Sequence, residues 1–354
     1  MNRREALKLA AAIGASLAWK PSLHVIPGLA RVERRDLFPE GVASGDPHPD
    51  SVLLWTRRPP VGDDTARHLT AQIATDATFA HIVGEAKATV RAETDWTCRV
   101  LAAGLKPRRE YWYRFGDEHG NTSRVGRTIT APADDDAAPV RFGFVSCQNN
   151  QLGACNAYRR MIWEDEKRPA TEQCGFVMHL GDFVYELIWY PEDRPGGYYD
   201  RRIRDIVRYP DGEKHEDFHV PTTVAGYRAL YRAYLADPDL QDARARWPFV
   251  CMWDNHEFSW KGWQSQQNFG QGRVPAQTRK VAAAQSWWEY QPARVAKGGG
   301  GALNDFEPPK VADAPLREVD ANGLGDDRDN LAAIHALTLY RTLRYGANVD
   351  LILT

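Results

Sequence analysis

The chain has 354 residues, enough for two domains at roughly 150 residues each. Its 45 Lys and Arg nearly balance 47 Asp and Glu, a formal charge of -2, which excludes a general coating of nucleic acid and a polybasic grip on a membrane. With 43% hydrophobic residues, 12 of them Trp residues, and 26% charged residues, the chain has a sizeable core to bury and is not of the disordered class.

The amino terminus places Arg3 and Arg4 before an uncharged apolar run, Leu9 to Trp19, shorter than the ~20 residues that span a bilayer as a helix. Gly28-Leu29-Ala30 offers a small-x-small cleavage site. Residues 1–30 resemble a twin-arginine signal, which implies the twin-arginine export machinery as a partner and a periplasmic or secreted protein with no stable membrane anchor. An amphipathic first helix is the plainer alternative, but the Ala-rich run gives it no polar face.

From Phe38 to Pro132, short β-type runs alternate with turn residues: Val52 to Thr56, Leu69 to Ala74, Ala88 to Val90, Trp96 to Val100, Tyr111 to Phe115 and Arg127 to Thr130. Strands at this spacing predict a β-sandwich over 37–132. Leu105-Lys106-Pro107 followed by Tyr111-x-Tyr113-x-Phe115 resembles fibronectin type III modules. Asp134-Asp135-Asp136, flanked by Ala and Pro, reads as a linker.

Beyond it the pattern changes to strand, helix, strand, helix, strand. The near-continuous apolar runs Val140 to Ser146, Phe176 to Leu180 and Phe249 to Trp253 predict buried strands. Ala154 to Glu166 is helix-like, and Val224, Tyr227, Leu230, Tyr231, Tyr234 and Leu235 recur at helical spacing. Residues 139–354 are therefore expected to form α/β layers with functional loops at the strand carboxyl ends. An Arg-rich and Tyr-rich loop runs from Tyr190 to Val220, and 297–329 reads as a surface insertion. Leu337, Leu339, Leu343 and Tyr345 share a strand face, Gly346-Ala347-Asn348 can turn, and Val349 to Leu353 is again a buried-type strand. A chain stopping at Thr354 on such a strand is expected to be interrupted, leaving the α/β domain incomplete.

Three motifs close the three strands: Ser146-Cys147-Gln148-Asn149, Gly181-Asp182-Phe183-Val184-Tyr185-Glu186 and Trp253-Asp254-Asn255-His256-Glu257. Glycine before Asp182 lets the backbone turn sharply and aim the carboxylate above the sheet, and Asn255-His256 sets a neutral oxygen beside a titratable imidazole. In this order they resemble the calcineurin-like metallophosphoesterases. Cys147 in place of the usual Asp and Tyr185 three residues after Asp182 narrow the resemblance. So do Gly41 to Pro47, Leu54-Trp55-Thr56-Arg57, Tyr231 to Tyr234 and Asp237 to Gln241. Together these are similar to the PhoD family of secreted alkaline phosphatases and phosphodiesterases.

The resemblance implies a ferric ion, Fe(3+), held by Cys147, Asp182 and Tyr185, with Ca(2+) nearby, acting on phosphate mono- and diesters, small or polymeric. A trivalent ion can deprotonate both a thiol and a phenol. Calcium takes oxygen ligands, which Asp182, Asn149 and Asn255 can provide. His256 could donate a proton to the leaving oxygen, and Arg201 and Arg204 could attract phosphate. The family pattern has Asp where Asn255 stands and an Asn where Trp260 stands, and both departures bear on the calcium ligands.

Plainer readings stand beside these. A lone Cys147 is usually a buried small hydrophobe, Asp182 after Gly an Asx turn, Tyr185 a packing residue, and His256 a core histidine. Two other functions are open: a surface binding module with an inert α/β part, and a cysteine hydrolase pairing Cys147 with His256 or His179.

Overall fold

The computed structural model describes residues 31–298, 302–317 and 319–354; the twin-arginine segment lies outside them. The amino-terminal strands are β1 (Val42–His48), β2 (Ser51–Arg57), β3 (His68–Ala74), β4 (Ile82–Thr89), β5 (Thr97–Ala103), β6 (Glu110–Asp117) and β7 (Gly126–Ile129). β3 pairs with β4 and β6, and β6 with β7, in one antiparallel sheet, while β1, β2 and β5 pair antiparallel in another. Val52, Leu54, Leu69, Ile73, Val100, Tyr113 and Phe115 fill the space between them, as alternation on two facing sheets requires. The Tyr111 hydroxyl accepts the Lys106 amide at 2.9 Å, tying strand β6 back to the turn before it as in fibronectin-like sandwiches.

The second sheet does not stop at the sandwich. β8 (Phe142–Val145), β9 (Phe176–His179) and β10 (Pro248–Cys251) are parallel to one another, and β10 pairs parallel with β1. The resulting six-stranded sheet runs β8-β9-β10-β1-β2-β5, half from each part of the chain, where the sequence reading separates two units at 134–136. The joint needs glycine: a Cβ on Gly45 would lie 2.0 Å from the Pro292 carbonyl oxygen and 2.7 Å from that of Phe249.

Helices α1 (Asn156–Glu166), α2 (Val224–Leu235), α3 (Pro238–Arg246) and α4 (Gln277–Tyr290) pack on this sheet or on one another. α2 buries the predicted stripe of Tyr227, Leu230, Tyr231, Tyr234 and Leu235. α3 starts where Asp237 accepts the amides of Asp239 and Leu240, with Pro238 at the first helical position. Around α2, α4 and β5 lies a seam of buried charge. Asp95 accepts from Arg57 at 2.9 Å, from Arg232 at 2.6 Å and from the Tyr290 hydroxyl. Asp46 on β1 accepts twice from Arg341, at 2.8 and 2.9 Å.

Three expectations change. β8 is an edge strand rather than a buried one, with Phe144 70% exposed. The described part of 297–329 is tied to the body, since the Asn304 side chain brackets the Arg99 backbone and Phe306 packs against Trp288. The tail folds as a hairpin of β11 (Arg341–Tyr345) and β12 (Val349–Leu353), in which Leu351 and Leu353 are buried while Ile352 is 72% exposed, a half-buried pattern. Among the described residues no helix is long and apolar enough to cross a membrane.

Candidate active site

The loops after β8, β9 and β10 meet at one end of the parallel strands. Cys147 donates its amide to the Gly181 carbonyl at 3.2 Å, and Gln148 to that of Asp182 at 3.1 Å. Cys147 (φ 56°) and Asp182 (φ 52°) both occupy the left-handed region, a strained placement for residues with a Cβ that persists only where surroundings impose it. Gly181, at φ 111°, could not be replaced without collision: a Cβ there would lie 2.5 Å from the Asp254 nitrogen.

What imposes this geometry is Glu257. Its buried carboxylate accepts the amides of Asp182 at 3.0 Å, Phe183 at 2.6 Å and Asp254 at 2.8 Å, riveting the second loop to the third. Burial pushes its carboxyl up to about 8, against the pull of those three amides.

Asp182 is buried and accepts from both sides, the His256 amide at 3.3 Å on one oxygen and the Tyr185 hydroxyl at 3.2 Å on the other. The Tyr185 ring stacks on His256 with centroids 4.1 Å apart. Burial raises the Tyr185 phenol well above its ordinary value, and the charges and hydrogen bonds of Asp182 and Cys147 raise it further. A thiol, a carboxylate and a phenol thus converge, and among the described residues no Lys or Arg side chain is paired with them; the titratable base beside them is His256. That donor set fits a hard, acidic metal ion, which would favour the ionised form of the phenol. Among the described residues no three His, Cys, Asp or Glu side chains form such a group.

His256 is positioned by Glu186. Nδ1 lies 2.7 Å from a Glu186 carboxylate oxygen, and the other oxygen accepts the Trp260 amide. Burial opposes the charged ring, but the Glu186 hydrogen bond and charge outweigh it and raise the imidazole above its ordinary value.

The remaining expected residues lie around this group. Asn149 and Arg201 line, with Cys147, a cavity of about 340 Å³. The Asn149 side chain accepts the Gln151 amide at 3.0 Å, and Arg201 donates to the Leu152 carbonyl at 3.2 Å. Arg204 is tied at 2.9 Å to the carbonyls of both Asn150 and Gly153, shaping the loop after Cys147. Asn255 lines a second cavity. Neither Asn side chain hydrogen-bonds the thiol, carboxylate and phenol group among the described residues. His179 is buried against Phe183, and burial pushes it down to about 3, a neutral core histidine rather than a base for Cys147.

Residues 24–132 match the PhoD-like phosphatase N-terminal domain, and residues 142–354 match the PhoD-like phosphatase domain. The chain belongs to the PhoD-like phosphatase family. Alkaline phosphatase D of Bacillus subtilis (strain 168) is 32% identical over 265 residues, 73% of this chain and 42% of that protein. A solved structure of PhoD is 28% identical with a TM-score of 0.65, covering 92% of this chain and 52% of that one. The chain thus spans about half the length of the relatives it matches.

Two residues that hold the loop ends together escape sequence reasoning. Glu186 and Glu257 both stand within the motifs, yet neither is singled out there. Their signal is an acid closing each motif, Gly181 to Glu186 and Trp253 to Glu257; their partners lie some 70 residues away in the other loop.

Proposed function

We propose that this chain hydrolyses phosphate mono- or diesters at the Cys147, Asp182 and Tyr185 group, with residues 37–132 as the sandwich and 139–354 as the catalytic unit. The observation that carries this reading is the convergence of a thiol, a buried carboxylate and a phenol at strand ends with no Lys or Arg paired to them among the described residues. Cys147, Asp182 and Tyr185 would hold ferric iron, and Asp182, Asn149 and Asn255 would offer oxygens to calcium. When bound, these ions supply Lewis acidity toward the phosphoryl oxygens and toward water.

The chain's own residues do the rest. Glu257 holds the second and third loops in register, so that the donors keep their spacing. Glu186 occupies Nδ1 of His256, which leaves Nε2 to donate a proton to the leaving oxygen. Arg201, on the rim of the Cys147 cavity, attracts the anionic ester. Residues 1–30 direct export by the twin-arginine route to the periplasm or beyond. A free-standing binding module is disfavoured, because half the strands of the shared sheet come from the sandwich.

The test is spectroscopic and kinetic. Iron-loaded protein is expected to absorb in the visible through phenolate-to-iron charge transfer and to hydrolyse bis(p-nitrophenyl) phosphate until a chelator is added. Tyr185→Phe should lose the band while Asp182 and Cys147 retain iron. An unchanged band would remove Tyr185 from the ligand set, and chelator-resistant turnover would end the metal reading.

A further inference from the structure

The loop from Asp182 to Tyr185 hangs on side chains that reach it from three directions. Glu257, from the third loop, takes the amides of Asp182 and Phe183. Gln148, from the first loop, donates to the Phe183 carbonyl at 2.9 Å, while its side-chain oxygen accepts the Tyr158 hydroxyl of α1 at 2.7 Å. The Tyr185 amide has a different partner: it donates to the Tyr234 hydroxyl at 3.1 Å.

Tyr234 lies fully buried in the last turn of α2, and Leu230, Tyr231 and Leu235 lock that helix into the core. Its hydroxyl is therefore a fixed point of the body rather than part of a loop. Tyr234 also meets the first loop. The Asn150 side chain donates to the Tyr234 carbonyl at 3.4 Å, and the Asn150 side-chain oxygen accepts the Cys155 thiol at 2.9 Å. One residue of α2 thus touches both the loop that carries Cys147 and the loop that carries Tyr185, as Glu257 touches the second and third.

Water could satisfy the Tyr185 amide, but only a group fixed to the core also sets where that amide stands. With the nitrogen pinned, the side-chain torsions alone remain to place the phenol. The contacts with Asp182 at 3.2 Å and with the His256 ring at 4.1 Å between centroids then fix those torsions.

We propose that Tyr234 is a positioning residue for Tyr185: its hydroxyl holds the Tyr185 backbone, and so sets how the phenol oxygen meets Asp182 and Cys147. The chemical consequence rests on the reading of Tyr185 as an iron ligand, but the anchoring does not. Residues that orient a metal's ligands from outside account for about 10–100-fold in affinity or activity. Tyr234 acts in that way through a backbone amide, without touching metal or substrate.

Tyr234→Phe removes one oxygen and keeps the ring in the core. Its control is Tyr231→Phe, which takes a buried hydroxyl from the same helix where, among the described residues, that hydroxyl has no hydrogen-bond partner. In metal-free protein, hydrogen exchange at the Tyr185 amide, followed by NMR, should speed up about tenfold in Tyr234→Phe, the size of one hydrogen bond. It should keep the wild-type rate in Tyr231→Phe, with the α2 amides unchanged in both. At saturating iron, the visible band of Tyr234→Phe should move and weaken. Its kcat for bis(p-nitrophenyl) phosphate should fall about tenfold with KM within about twofold, and Tyr231→Phe should match wild type. Equal exchange in wild type and Tyr234→Phe, or equal changes in the two variants, overturns the anchor. A freed amide with an unchanged band overturns the positioning of the phenol. If wild type itself shows no band, the ligand reading of Tyr185 falls, and the exchange contrast alone decides whether Tyr234 holds its backbone.

Discussion

Asp95 in the seam and Asp182 at the loop ends are each 5% exposed, and each accepts a hydrogen bond from a tyrosine. Their surroundings differ in one respect. Asp95 has two guanidiniums: burial pushes its carboxyl up, but the charges of Arg57 and Arg232 and the hydrogen bonds from Tyr290 and Arg57 together outweigh it and hold it below the ordinary value. Asp182 has a phenol, a backbone amide, a thiol and the titratable His256 ring nearby, and among the described residues no Arg or Lys partner. A buried carboxylate supplied with its counter-charge by the fold is a fastener. Asp182, without such a partner and beside two further acidic donors, serves the proposed phosphoester chemistry instead, at a site where the chain also accepts left-handed backbone.

Substitutions that treat the two acids alike should separate these roles. Asp182→Asn is expected to lower kcat/KM for bis(p-nitrophenyl) phosphate by about 10³-fold or more, the several kcal/mol that Lewis-acid stabilisation supplies. The metal-free protein should be no less stable in urea. Asp95→Ala should do the reverse. Arg57 keeps Glu40 at 2.9 Å, but Arg232 and the Tyr290 hydroxyl lose their acceptor, which costs about 3 kcal/mol in urea unfolding, while turnover per folded molecule stays near wild type. If Asp95→Ala abolished turnover without destabilising the protein, the seam would not be the fastener described here.

Glu186→Gln sharpens the comparison further, because here the site has one of its own fasteners. His256 in the folded wild type titrates above its ordinary value of 6.5. Its charged-state contribution to stability is therefore complete below that value and lost as pH rises through the folded one. The stability gap between wild type and Glu186→Gln, followed by urea unfolding across pH, should shrink over that window. The limb of the pH–rate profile that reports the His256 acid should move to lower pH. A pH-independent gap would remove Glu186 as the partner of a titrating imidazole. The smallest effect belongs to Ile352→Thr, within about 0.5 kcal/mol for an exposed position, whereas a large loss would return β12 to the buried type.

β9, β10 and the carboxyl-end motifs are legible in the sequence because a buried strand needs an unbroken apolar run and its loop then needs residues such as Gly181 that no regular element tolerates, whereas the apolar run of β8 lies at the sheet edge. Cys147, Asp182, Tyr185 and His256 are found together for that reason. β1 is hidden because Gly45-Asp46-Pro47 reads as a turn, and only the approach of Pro292 and Phe249 explains a strand there. α4 is hidden because Val281, Ala283, Ala284, Trp287, Trp288 and Tyr290 are all buried, leaving no polar face to set a period. The roles of Glu186 and Glu257 depend on amides and an imidazole far along the chain, which no local pattern encodes.

The pairing of Ser44 with Pro248 also sets an order of events during synthesis. β1 leaves the ribosome about 200 residues before its parallel partner, which at about 5–20 residues per second is a wait of roughly 10–40 s. Throughout that interval β2 and β5 can close their antiparallel sheet, but the outer edge of β1 has nothing to bind. Its Gly-Asp-Pro interruption makes it a poor template for a stray strand during that delay, since proline removes a ladder donor and breaks the edge. The segment that looks least like a strand in the finished protein is thereby suited to being the last edge of the nascent sandwich to be filled.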